Sequence, residues 1–143
     1  MTQLESNQQA GSMNSGMLGC EWIIDAYGCN PELLRNLGAM IHLCENIVEE
    51  LDLNVVGSPT WHQFPGQAGV TGLYLLSESH LACHTYPEVG MATLNLYSCH
   101  WIKERPWALL LREFLQASHC EAVCVPRGRN ACSPISLDKE IGR

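Results

Sequence analysis

The sequence predicts a two-layer α+β domain, a sandwich in which a largely antiparallel sheet carries two helices on one face. Three observations lead there. Short β-branched or alternating segments are spread along the chain, two longer segments repeat their apolar residues at helical spacing, and the 143 residues contain neither an internal repeat nor a domain linker. A chain of this length supports one hydrophobic core.

Residues 20–27 read as a strand, because Trp22, Ile23 and Ile24 are bulky or β-branched and Tyr27-Gly28 closes the run. Asn30-Pro31-Glu32 reads as a helix start. Asn30 is the N-cap, and Pro31 takes the first helical position, where its missing N–H costs nothing. Leu33, Leu34, Leu37, Met40, Ile41, Cys44, Ile47, Val48 and Leu51 follow at helical spacing, with Arg35, Glu45, Glu49 and Glu50 largely on the other side. Residues 53–56 predict a short strand that Gly57-Ser58-Pro59 interrupts, and 61–64 resume the extended path before the turn-rich stretch 65–69. Two apolar runs, 70–77 and 81–86, are further strands. In 91–99, Met91, Thr93, Asn95, Tyr97 and Cys99 share one face while Ala92, Leu94, Leu96 and Ser98 share the other. Pro106 opens a second amphipathic helix carrying Trp107, Leu110, Leu111, Phe114 and Leu115, and 121–125 form a last strand. A sheet covered on one face only leaves apolar and aromatic strand residues open on the other, so self-association through that face is expected.

The folded domain is expected over 19–128. Residues 1–18 are polar and rich in Gly, Ser and Gln, which predicts a disordered tail, and 129–143 form a Gly/Pro/Ser-containing C-terminal tail. The start has no basic cluster and no apolar run, and no later run is long enough for a bilayer, so no signal peptide or membrane span is expected. That points to the cytoplasm, where the eight cysteines stay as thiols. The formal net charge is −7, from 8 Lys+Arg against 15 Asp+Glu with no clustered cations, and nucleic acid is excluded as a partner.

The densest set of reactive side chains runs from Ser77 to Glu88: Ser-Glu-Ser-His-Leu-Ala-Cys-His-Thr-Tyr-Pro-Glu. Such groups are often hydrogen-bonded structural residues. His80, Cys83, His84, Cys99 and His100 are also potential zinc ligands, although Thr85-Tyr86-Pro87 argues against the helix that would align the two histidines, and no CxxC or HExxH occurs. Ser79 or Cys99 as a hydrolase nucleophile lacks a GxSxG elbow. Self-processing is the remaining use. A serine hydroxyl attacks the preceding carbonyl, the amide becomes an ester, and β-elimination leaves a dehydroalanine that hydrolyses to pyruvoyl. The resulting ketone takes a substrate amine as a Schiff base and draws electrons from a departing carboxylate. Composition and spacing leave all four uses open.

The segment Glu78-Ser79-His80-Leu81, His84-Thr85-Tyr86-Pro87-Glu88 closely resembles the processing motif of the bacterial and archaeal S-adenosylmethionine decarboxylase proenzymes. The similarity extends upstream through Gly69-Val70-Thr71-Gly72 and His62-Gln63-Phe64 to Tyr27-Gly28-Cys29-x-Pro31-Glu32, and downstream to Tyr97-Ser98-Cys99, over about residues 19–128. It implies a carboxy-lyase of spermidine biosynthesis that cuts itself between Glu78 and Ser79. Ser79 would become the pyruvoyl group, with no metal. By the same resemblance His84 transfers a proton during cleavage, Thr71 is the assisting hydroxyl, and Cys99 is the proton donor in decarboxylation. Glu88 would hold the substrate ribose, and Phe64 would stack on adenine. A dimer of processed protomers with active sites at their interface is implied too. The chain departs from the family pattern at Asn95, at His100 and in a longer loop over 64–69, which keeps ornithine or arginine as alternative substrates. A non-catalytic regulatory partner of another decarboxylase is a third class, against which the intact Glu78, Ser79, His84 and Cys99 set argues.

Overall fold

The computed structural model describes residues 17–128, so the N-terminal tail, Met17 and Leu18 apart, and the C-terminal tail over 129–143 lie outside the described residues. Six strands form one antiparallel sheet: β1 (Gly19–Tyr27), β2 (Thr60–Gln63), β3 (Val70–Leu76), β4 (Ser79–Tyr86), β5 (Met91–Ser98) and β6 (His119–Arg127). Their spatial order is β2-β3-β4-β5-β1-β6. The helices are α1 (Pro31–Leu34), α2 (Leu37–Glu50) and α3 (Trp107–Leu115).

The period-2 patterning sets the two faces. Trp22 and Ile24 of β1, Tyr74 and Leu76 of β3, Leu81 and Cys83 of β4, and Ala92, Leu94 and Leu96 of β5 are buried beneath the helices. Met40, Leu43, Cys44 and Ile47 of α2 and Trp107, Leu111 and Leu115 of α3 complete that core. Helix α2 lies against β3, and α3 against β1 and β6. Cys83 belongs to this layer: its Sγ is 3.8 Å from that of Cys44. The opposite face has no covering layer among the described residues. Leu75 is 61% exposed and Val123 57% exposed there, with Leu73 and Ile23 beside them.

The first helix departs from expectation. Asn30 caps it as predicted, its side chain accepting from Glu32 N–H at 2.9 Å, but one continuous helix from Pro31 to Leu51 does not form. The chain breaks at Arg35-Asn36, where the Asn36 side chain accepts from Ala39 N–H at 3.0 Å and starts α2 afresh. A side-chain oxygen at that spacing replaces the helical partner of the amide. The strand expected over 53–56 reduces to a single bridge, Val55 to Leu76, closed by Val56 N–H to the Leu75 carbonyl and Ser77 N–H to the Asn54 carbonyl, each at 2.8 Å.

Candidate active site

Strands β3 and β4 are joined by only two residues, Ser77 and Glu78, between the cross-strand pair Leu76 and Ser79. Turns this tight ordinarily need φ > 0 at a central position, which favours Gly or Asn. Neither Ser77 nor Glu78 takes that conformation. The positive φ falls one residue later, on Ser79, at +152°. A non-glycine residue held in so sparse a region costs of order 1–3 kcal/mol, so the Glu78–Ser79 peptide enters β4 under strain that its neighbours must hold.

Those neighbours are specific. The Glu78 carbonyl oxygen accepts from Cys99 N–H at 2.8 Å. The Glu78 carboxylate accepts from Asn54 N–H at 3.1 Å and from Asn54 Nδ2 at 2.8 Å, and the Asn54 side chain holds that carboxyl below the ordinary carboxylate range. Ser77 N–H returns a bond to the Asn54 carbonyl at 2.8 Å. The Ser79 hydroxyl lies 3.0 Å from His80 Nδ1. Successive residues of a regular strand point to opposite faces, and this contact between neighbours occurs where Ser79 leaves the regular path. The His80 ring packs on Tyr97 at 5.6 Å between centroids, and Tyr97 carries the Arg127 guanidinium over its ring. Cys99, one residue beyond β5, is exposed in a recess with Leu18, Gly19 and Trp101.

A second cluster occupies the other end of β4. Thr71 and His84 are cross-strand partners, and Thr71 Oγ1 lies 2.5 Å from His84 Nδ1. The His84 ring makes edge contacts with Phe64 at 5.5 Å and Tyr86 at 4.5 Å. Phe64, Gln67, His84, Tyr86 and Glu88 line an open hollow. Its loop is fixed from several sides. Gln63 Nε2 donates to the Arg35 carbonyl at 2.6 Å, and Arg35 Nε donates to the Gln67 carbonyl at 3.0 Å. Phe64 N–H donates to Gly69 O at 2.8 Å. Gly69 itself admits no side chain, because a Cβ would stand 2.7 Å from the Thr85 carbonyl oxygen.

The seven residues singled out by sequence thus fall into two groups. Glu78, Ser79 and Cys99 meet at the hairpin; Thr71, His84, Phe64 and Glu88 gather at the hollow. The two groups do not meet within one chain. Ser79 and His84 are five residues apart on a single strand, roughly 16 Å at the usual strand rise. Asn54 and His80 were not assigned roles from sequence. Asn54 stands 24 residues before Glu78 with no motif to mark it, and strand alternation argues against the His80 contact. Among the described residues no three His, Cys, Asp or Glu side chains gather as metal ligands would, and Cys83 faces the core, away from His80 and His84.

A family model described as S-adenosylmethionine decarboxylase matches residues 20–128. An S-adenosylmethionine decarboxylase proenzyme from Caldicellulosiruptor saccharolyticus is 38% identical over 118 residues, covering 78% of this chain and 89% of the relative. One from Archaeoglobus fulgidus is 32% identical over 105 residues, covering 72% and 92%. The crystal structure of the adenosylmethionine decarboxylase from Aquifex aeolicus superposes with a TM-score of 0.68 at 25% identity, over 85% of this chain and all of that one.

Proposed function

The chain belongs to the S-adenosylmethionine decarboxylase family, and on that premise we propose that it is a self-cleaving carboxy-lyase. It would split between Glu78 and Ser79, convert Ser79 to a pyruvoyl group, and remove CO2 from S-adenosylmethionine to give the aminopropyl donor for polyamine synthesis. The observation that carries this is the Glu78–Ser79 peptide itself: a strained serine following a carbonyl that a backbone N–H already polarises. Cys99 N–H is aimed where negative charge develops when the Ser79 hydroxyl adds to that carbonyl, and the Asn54 grip on Glu78 stops the acyl group from moving away.

The pyruvoyl group, once formed, supplies a ketone that captures the substrate amine and accepts electrons as the carboxylate leaves. Ser79 stands at the strand start where such a group would be anchored. Cys99 Sγ, exposed beside it, would return the proton to the carbon that lost CO2. Phe64 and Glu88 would bind the nucleoside in the hollow, by stacking on the adenine and by accepting from the ribose hydroxyls. His84, hydrogen-bonded to Thr71, would move the proton that elimination at Ser79 requires.

These roles demand that the hollow and the hairpin meet, and within one chain they stand apart. The uncovered sheet face bears His80, Tyr97, Leu75 and Leu73 on the side of the hairpin and His84, Thr71 and Tyr86 on the side of the hollow. A second copy packed face to face about a two-fold axis would bring the hairpin of one protomer against the hollow of the other, as an isologous interface does. No described helix is long and apolar enough to cross a membrane.

Incubating purified, cleaved protein with S-adenosylmethionine, ornithine and arginine side by side tests the substrate. CO2 release only from S-adenosylmethionine is expected, and release from either amino acid instead would overturn that part. Cys99→Ala is expected to cleave normally, since the bond it gives Glu78 comes from its backbone, yet to lose turnover by roughly 10²-fold or more, the range for removing a positioned acid. Mass spectrometry and a CO2 assay on one preparation separate the two effects.

A further inference from the structure

We propose that His80 is the base that takes the Ser79 hydroxyl proton in the first step of self-cleavage, a role distinct from that given to His84. This rests on the cleavage proposed above. His80 Nδ1 is the ring atom within hydrogen-bond reach of Ser79 Oγ, at 3.0 Å, whereas the His84 Nδ1 of the same chain is engaged with Thr71 on the far end of the strand. A contact between successive strand residues is not the geometry that alternation provides. It coincides with the unusual φ of Ser79, so one local distortion both strains the scissile peptide and turns its nucleophile toward a base. The imidazole is also held in place. It packs on Tyr97, which is covered in turn by Arg127, and Arg127 pairs with Glu21 at 2.5 Å.

The step balances within the chain. Ser79 Oγ forms a bond to the Glu78 carbonyl carbon while its proton passes to His80 Nδ1. The carbonyl π electrons move onto oxygen, to which the Cys99 N–H donates. Collapse breaks the bond from the Glu78 carbon to the Ser79 nitrogen, and the proton on His80 is delivered to that nitrogen. The result is an ester of Glu78 on Ser79 Oγ and a free amine, with imidazole regenerated and no outside reactant. Elimination from the ester is a separate event and needs its own base. Two histidines with two partners, one at the hairpin and one at the hollow, correspond to two proton transfers.

The test follows cleavage of freshly purified full-length chain by intact mass. Wild type is expected to give fragments 1–78 and 79–143, whereas His80→Ala and His80→Gln are expected to cleave about 10²-fold more slowly. Added imidazole should restore part of the lost rate in His80→Ala, where the missing ring leaves room for a free base beside Ser79. Hydroxylamine, which splits esters, should release no fragments from either uncleaved variant, because the ester does not accumulate. His84→Ala should behave oppositely and yield hydroxylamine-sensitive chain. Cleavage of both His80 variants at the wild-type rate, accumulation of ester in them, or no response to imidazole would each overturn the assignment while leaving the cleavage reading intact. A wild-type chain that never splits would remove that reading, and this proposal with it. Circular dichroism on the same samples shows that the slow variants are folded.

Discussion

Ser79→Ala is expected to leave one uncut chain of 143 residues with no decarboxylase activity, because the variant has no hydroxyl to attack Glu78 and no atom from which a ketone can be made. The effect is a complete loss rather than a rate change, and intact mass reads it directly. The same position offers a test of the strain. Alanine keeps the Cβ that conflicts with φ = +152°, whereas glycine does not. Relief of about 1–3 kcal/mol outweighs the added flexibility of glycine in the unfolded chain, about 0.4–1 kcal/mol. Ser79→Gly should therefore unfold at higher urea than Ser79→Ala, by about 1 kcal/mol, although both stay uncut. Equal stability would mean that Ser79 is not strained and that the turn geometry does not prime the bond.

That strain was not visible in the sequence, and the reason is instructive. What could be read was whatever a single period encodes. The alternation of Ala92, Leu94 and Leu96 against Met91, Thr93 and Asn95 gave both the strand and its buried face. The Asn30-Pro31 pair located a helix start through capping chemistry that is local by nature. Periodicity was blind to the break at Asn36, because apolar residues continue in helical register across it while a single side-chain oxygen resets the hydrogen bonding. The short strand expected over 53–56 is likewise cut to one bridge: β-branched residues favour extended backbone, but pairing depends on the neighbouring strand, and β3 ends at Leu76, the bridge partner of Val55. At the candidate site, Ser79, His84, Thr71 and Cys99 fall within one motif region, and nearness in sequence says nothing of nearness in space. The sheet separates them. Ser79 and Cys99 are close because β4 and β5 are antiparallel neighbours, with Ser79 opposite Ser98; His84 is distant because it lies further along the same strand.

The separation yields a prediction with an all-or-none outcome. Suppose Ser79 of one protomer works with His84 of its partner. Co-expression of Ser79→Ala with His84→Ala chains, each inactive alone, then forms mixed dimers in which the serine of the second chain faces the histidine of the first. Such a dimer has one complete site and one doubly defective site. Random pairing makes half of all dimers mixed, so about one quarter of the sites should be intact. Cleavage should appear only in the His84→Ala chain, because it alone keeps Ser79, and decarboxylase activity should return toward one quarter of wild type. If the two residues instead met within one chain, no combination of the two variants would contain a complete site, and the mixture would stay uncut. Distinct affinity tags on the two chains identify which one is cleaved. Cleavage of the Ser79→Ala chain is chemically excluded, so the experiment carries its own control. The readout also bears on the uncovered sheet face: Leu75→Lys, placed where the partner would pack, should abolish the recovery by preventing association, while leaving the core on the helix side untouched.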